Sequence, residues 1–259
     1  MFLFNHSRLP NTFVMKNLYI LLLCFSFFLA CKNEKPTTLT SFEVPQLLDR
    51  PEKLKYFNEW SETRSQFADL KFKISKDPHA IDALLQVSNL YIMEARITGE
   101  HGHYYNAALK TITQALESNK ITNDQKFLAL SAKAGVQLSL HSFVEGLNTA
   151  KHAVSLNPYN AQIYGALVDA YVELGQYELA VEMADKMVSI RPDLRSYSRV
   201  SYLREIYGMP EDAIAAMKMA VEAGSPGSEE KSWAALQLAQ LYLRYNKVNE
   251  STFKVIKGD

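Results

Sequence analysis

The chain has little cysteine, two residues in 259. That excludes a disulfide scaffold and any four-cysteine zinc site. Ten glycines and nine prolines are too few for a collagen-like or low-complexity chain. No sign of charge dominates, with Lys+Arg 28 against Asp+Glu 28. The broad positive footprint of a nucleic-acid binder is therefore missing. Catalytic signatures are missing too: there is no G-x-S-x-G, no H-E-x-x-H, no Walker A loop and no G-x-G-x-x-G. What is present is an apolar fraction of 47% beside 22% charged residues. That balance supports a packed core and excludes disorder of the whole chain. The length suits one or two ordinary domains.

Leu18 to Cys31 is the one long apolar run, interrupted clearly only by Ser26. As a helix it would measure roughly 21 Å, too short for a hydrocarbon core of about 30 Å. Lys16 precedes it and the small residue Ala30 closes it. Charge, apolar stretch and small residue in that order read as a secretory signal peptide over residues 1–30. Met15-Lys16 resembles a natural start of such a signal, which makes residues 1–14 an upstream extension. Cleavage removes Arg8, Lys16 and Cys24 but no acid, leaving a net charge of −2.

Phe28-Leu29-Ala30-Cys31 resembles a bacterial lipobox, departing from it at Phe28, where an aliphatic residue is usual. The resemblance implies cleavage before Cys31 and a diacylglycerol thioether on it. The alternative is that Cys31 ends an ordinary signal or a short anchor. Lys32-Asn33-Glu34-Lys35 loosely resembles the signal that routes some Bacteroidota lipoproteins to the cell surface. The implied location is extracytoplasmic, on a bacterial membrane, with acyl chains as the anchor. Residues 31–50 hold Pro36 and Pro45 and no helical stripe, so they read as a flexible tether.

The strongest signal is an internal repeat. Ala153-Val-Ser-Leu-Asn-Pro158 returns as Met187-Val-Ser-Ile-Arg-Pro192, an offset of 34 residues. Gly146 and Ala180, Ala150 and Ala184, Leu130 and Tyr164, and Ala134 and Val168 share that offset. Each unit reads as two amphipathic helices. In one of them Ala161–Leu174 is helix A, ended by Gly175, and Tyr177–Ile190 is helix B, closed by Pro192. Small residues at 146, 150, 180, 184 and 213 allow close helix approach, and Leu138, Leu167 and Tyr171 fill the gaps.

Tyr164, Leu167, Tyr171, Ala180 and Pro192 resemble the signature of the tetratricopeptide repeat (TPR). The resemblance implies an all-α, right-handed α-solenoid of antiparallel helical hairpins. The expected layout is a helical segment over 51–79, broken near Ser65, then a divergent unit over 80–126. Its Ile97–His103 connection reads as a long turn. Three TPR units follow over 127–160, 161–193 and 194–227. A terminal capping helix or truncated unit occupies 228–259, with Val248, Phe253, Val255 and Ile256 in its tail.

In the TPR family, ligands usually meet the concave surface lined by helix A. By register the groove candidates are Asn89, Met93, Ser131, Leu138, Gln162, Asp169, Glu173, Arg195, Ser198, Arg199 and Tyr202. Arg195 and Arg199 are one turn apart and share a face. They suit a carboxylate ligand, or alternatively pair with Asp169, Glu173 or Glu205. Glu94, Glu173, Glu178 and Glu182 read as solvent-facing acids. His101-x-His103 is a weak metal candidate lacking a third ligand, in a segment that Gly102 makes floppy. Otherwise no cofactor is expected. Trp233, Ala234, Leu236, Leu238, Leu241, Leu243 and Tyr245 leave the last helix apolar on more than one side, which suits self-association through Trp233, Leu236 and Leu243.

Three functions remain open at this level. The leading one is a non-catalytic, membrane-tethered adaptor for a protein or peptide. The others are an assembly lipoprotein of an outer-membrane machine and a metal-dependent hydrolase using His101 and His103.

Overall fold

The computed structural model describes residues 42–247. The expected signal peptide, Cys31 and the tail from Val248 to Ile256 lie outside the described residues. After a short 3-10 turn at Glu52–Leu54 come ten α-helices. They are α1 (Glu59–Lys76), α2 (Ile81–Thr98), α3 (His101–Leu116), α4 (Asn123–Ser139) and α5 (Phe143–Leu156). Then follow α6 (Ala161–Glu173), α7 (Tyr177–Ile190), α8 (Leu194–Ile206), α9 (Pro210–Ala223) and α10 (Glu229–Arg244). No strand occurs among the described residues. The architecture is the expected all-α solenoid of helical hairpins: α2/α3, α4/α5, α6/α7 and α8/α9, flanked by α1 and α10. Among the described residues no helix is long and apolar enough to cross a membrane.

Local chemistry separates the two helix types. The later A helices start on side-chain caps. Thr122 and Asp193 form capping boxes on α4 and α8, while Asn160 and Ser228 accept backbone N–H groups of α6 and α10. The helix B starts lack such caps, because a tight turn delivers the chain. That turn uses a left-handed residue: His141 (φ 59°), Gly175 (70°) and Gly208 (70°). The following N–H bonds a carbonyl near the helix end, Ser142 to Gln137, Gln176 to Tyr171 and Met209 to Arg204, at 2.8–2.9 Å. Pro210 then opens α9 at a position where no N–H is required.

Asn246 (φ 50°) and the Lys247 N–H to Tyr242 oxygen bond (2.9 Å) repeat the same turn after α10. The last described helix therefore ends as an A helix does.

Small residues set the packing distance. A Cβ on Gly146 of α5 would sit 2.8 Å from Leu138 Cδ2 of α4. Ala150, Ala180, Ala184 and Ala213 are buried at equivalent crossings. Ser201 of α8 donates to the Ala213 carbonyl of α9 at 2.7 Å, so even the polar atom at that crossing is satisfied.

Four expectations are corrected. First, residues 42–50 are no free tether: Val44 and Arg50 are 3% and 2% exposed, packed on α2 and α3. Second, α1 runs unbroken past Ser65, its buried stripe Trp60, Phe67, Leu70 and Ile74 keeping one helical period. Third, the surplus residues of the first unit lengthen helices instead of the turn. Helices α2 and α3 have 18 and 16 residues, against 13 and 14 in α6 and α7, and only Gly99 and Glu100 connect them. Fourth, Glu94 is 1% exposed.

Glu94 is buried because Arg50 comes to it. Arg50 Nε and Nη2 donate to its two oxygens at 2.8 and 2.5 Å, and Nη1 donates to Glu59 at 2.6 Å. The guanidinium also lies 4.7 Å from the Trp60 ring centroid. Residues 42–49 are held by side chains reaching their backbone. Tyr91 OH donates to the Pro45 oxygen, Lys110 Nζ donates to the Glu43 oxygen at 2.8 Å, and Leu48 N–H donates to Tyr104 OH at 3.1 Å. The segment is thus a strap across the first unit.

Candidate binding groove

Each of α2, α4, α6 and α8 packs on its own helix B and also on the next A helix, while among the described residues the B helices lack comparable mutual packing. Closer spacing on one side curves the array toward that side. The A helices α2, α4, α6, α8 and α10 therefore line the inner surface.

Two adjoining cavities run along it. The first, about 440 Å³, takes Asn89 and Arg96 from α2, Ser131 and Ser139 from α4, and Asn160 and Gln162 at the start of α6. The second, about 490 Å³, shares Arg96, Ser131, Ser139 and Gln162 and adds Asp169, Arg195, Ser198, Arg199, Glu229, Glu230 and Trp233. A third, about 310 Å³, continues past Asp169 and Arg199 to Tyr202, Glu205, Trp233, Gln237 and Arg244. The first cavity mixes amides and hydroxyls such as Asn89, Ser131 and Gln162 with about as many apolar residues, among them Leu85, Ile92 and Val136, and most of the charges gather in the second. Ser131 Oγ is buried without a hydrogen-bond partner among the described residues.

The structure thus gathers most of the candidates. Asn89 lies at one end, Gln162, Asp169, Arg195, Ser198 and Arg199 in the middle, and Tyr202 at the other end. Ser131 and Leu138 also line the trough. Met93 is exposed, and Glu173 is exposed at the end of α6; neither lines these three cavities. Trp233 lines two cavities, whereas Leu236 and Leu243, 56% and 62% exposed, line none of the three.

Charges in the trough are paired. Arg199 makes a two-bond pair with Asp169, Nε to Oδ1 at 2.8 Å and Nη2 to Oδ2 at 2.6 Å. Gly165, one turn before Asp169, supplies the space: a Cβ there would lie 3.0 Å from Arg199 Cζ. Arg195 does not use Asp169, Glu173 or Glu205. Its Nη2 lies 3.4 Å from Glu230 on α10. Arg96 of α2 approaches the neighbouring Glu229 at 3.9 Å, so the first turn of α10 reaches across the trough to the first unit. Glu205 serves Arg244 and accepts from Tyr245 OH at 3.1 Å. Backbone N–H donation at the start of α10, then Arg195, holds the Glu230 carboxyl below its usual range.

Outside the trough, hydrogen bonding by Arg50 holds the Glu59 carboxyl below its usual range, and its bonds to Glu94 and Glu59 raise Arg50 further. Burial pushes the Tyr91 and Tyr104 hydroxyls up.

His101 and His103 stand in the first turn of α3, not in a floppy loop. His101 stacks on Tyr105 at 5.1 Å, and His103 Nε2 lies 2.9 Å from the Gln46 oxygen of the strap. No group of three or more metal-ligating side chains occurs among the described residues.

Sequence reasoning missed Arg50, Arg96, Gly165, Glu229 and Glu230. Glu94 did carry a signal: it continues the stripe of Val87 and Tyr91 into the core, and an acid there demands a cation.

No protein-family model matches the chain. A stretch of 77 residues is 32% identical to the small glutamine-rich tetratricopeptide repeat-containing protein 2 of Saccharomyces cerevisiae. That stretch covers 29% of this chain and 22% of the yeast protein, so the chain spans about a fifth of that relative's length. A tetratricopeptide repeat protein from Parabacteroides merdae superposes with a TM-score of 0.55 at 18% identity, covering 80% of this chain and 76% of that one. TTC0263, a thermophilic TPR protein of Thermus thermophilus, superposes with a TM-score of 0.54 at 23% identity, covering 65% and 84%. The fold is that of TPR proteins.

Proposed function

We propose that this chain is a non-catalytic, membrane-tethered TPR adaptor whose concave surface holds a segment of a protein partner. The observation that carries this reading is the continuous trough from Asn89 to Tyr202, where two adjoining cavities share Arg96, Ser131 and Gln162. Amide and hydroxyl groups suit the backbone of an extended peptide, and the arginines suit its carboxylates. Tethering rests on the lipobox-like Phe28–Cys31, and places the adaptor on the periplasmic or outer face of a bacterial membrane. The test is a crosslinked pull-down from membranes with the native lipoprotein beside an Arg195→Glu/Arg199→Glu variant. One partner lost in the variant supports the reading; a partner set unchanged by the variant contradicts it. Cys31→Ala should separately abolish incorporation of a clickable fatty acid and leave the signal uncleaved.

Leu236 and Leu243 favour a second reading, in which the chain is a structural lipoprotein of a larger outer-membrane assembly, or pairs with a second copy, through α10. Both leucines are exposed two turns apart on the last described helix. A stoichiometric complex, or a dimer by light scattering, that Leu236→Glu/Leu243→Glu dissociates supports this reading. A monomer at tens of micromolar with no complex in membranes removes it.

A further inference from the structure

Three arginines and three carboxylates face the central cavity: Arg96, Arg195 and Arg199 against Asp169, Glu229 and Glu230. They are not equally fixed. Asp169 and Arg199 share two short hydrogen bonds on adjacent A helices, with Gly165 making room, so that pair belongs to the wall. Glu229 and Glu230 differ. They are consecutive residues on the first turn of α10, and each reaches an arginine of a different helix through one long contact, 3.9 Å to Arg96 and 3.4 Å to Arg195. All four of those side chains are about half exposed or more. Such exposed pairs are worth little, and a better-placed anion displaces them readily. When Glu229 and Glu230 leave the arginines, Arg96 and Arg195 face the cavity from opposite sides without compensation.

We infer that Glu229 and Glu230 occupy the place of an acidic peptide, so that the partner segment is one with adjacent carboxylates that displaces them from Arg96 and Arg195. The inference rests on the adaptor reading and deepens it by naming the ligand chemistry. It also assigns a regulatory role to the start of α10. The two acids lower affinity for every acidic segment, and only one that engages both arginines together overcomes them. Trp233, on the next turn of α10 and lining the same cavity, reports the exchange, because Trp60 is buried in the N-terminal part of the molecule.

The experiment uses the chain expressed without residues 1–31 and a fluorescein-labelled nonapeptide of three Glu-Glu-Ser repeats, with a glutamine-for-glutamate peptide as control. Anisotropy gives the affinity, and unlabelled peptide is followed by Trp233 emission. Glu229→Gln/Glu230→Gln should tighten the acidic peptide about three- to tenfold. Glu182→Gln/Glu222→Gln makes the same change in net charge on exposed positions of α7 and α9 and should leave it unchanged. Arg96→Gln/Arg195→Gln should remove binding, and the control peptide should respond to none of these. Equal tightening by both glutamate pairs, or none by either, overturns the inference. Thermal melts accompany each variant, because a displaced α10 would also alter affinity; lost binding in Arg96→Gln/Arg195→Gln counts only at an unchanged melting temperature, and Arg96→Lys/Arg195→Lys must then restore part of it. If the pull-down yields a groove-dependent partner but the acidic peptide never binds, the inference fails and the adaptor reading stands. If the peptide behaves as expected but no partner depends on the groove, the adaptor reading fails alone.

Discussion

Arg199 lies against Gly165: a methyl group on Gly165 would meet the guanidinium at 3.0–3.3 Å, the distance at which a neighbour must move. The glycine is therefore part of the Arg199–Asp169 pair although it carries no side chain. Gly165→Ala should gain about 1 kcal/mol of helix propensity and lose a similar amount by disturbing the pair. The melting temperature should barely change while the groove does. In a nitrogen-15 spectrum, the Arg199 Nε–H resonance should move toward that of a free arginine, and partner binding should weaken.

Arg50 and Glu94 should be the costliest single positions in the first unit. Arg50→Ala leaves Glu94 buried without its cation, which costs about 3–5 kcal/mol. Arg50→Met with Glu94→Leu should recover most of that loss, since an apolar pair removes the stranded charge. Urea denaturation measures both. Limited proteolysis should open the strap near residues 43–49 in Arg50→Ala and leave the wild type intact there.

Acid should weaken the same corner. The Arg50 hydrogen bonds hold the Glu59 carboxyl below its usual range. A depressed folded-state pKa means the stabilisation is fully present above the unfolded value, about 4.3, and is lost as pH falls through the lower folded value. Glu59 is half exposed, so the effect is small, below about 1 kcal/mol. The stability difference between wild type and Glu59→Gln should be constant from pH 7 to 5 and vanish on approach to pH 3. A difference that persists at pH 3 would contradict this assignment.

His141 occupies the left-handed turn position that glycine holds at 175 and 208. His141→Gly should raise stability by about 0.5–1 kcal/mol, less whatever the ring contact with Phe143 contributes. His141→Ala should lower it. The urea midpoint separates the two.

The repeat was legible because its determinants are local. Pro158 and Pro192 end helices, Gly175 reverses the chain, and the alanines at 150, 180 and 184 mark the crossings, so the hairpins followed from spacing. The groove candidates followed from the same register. The remainder was not local. Glu94 meets a cation 44 residues earlier in the chain, and a lone helical glutamate reads as solvent-facing by type. Gly99 and Gly102 suggested a long turn, yet Gly102 is accommodated inside α3 with open space around it. Register offers Arg195 the acids Asp169, Glu173 and Glu205, whereas the curvature of the array brings Glu230 from α10. Curvature is a sum of small rotations at many crossings, and no single residue announces it.

The most direct test is photocrosslinking from inside the trough. A benzoyl-phenylalanine at Gln162, shared by both central cavities, is compared in native membranes with one at Glu182, exposed on α7. The account predicts one crosslinked protein from position 162, competed by its own acidic segment, and none of that protein from position 182. The same product from both positions, or a product from 182 alone, would contradict a groove that holds the partner.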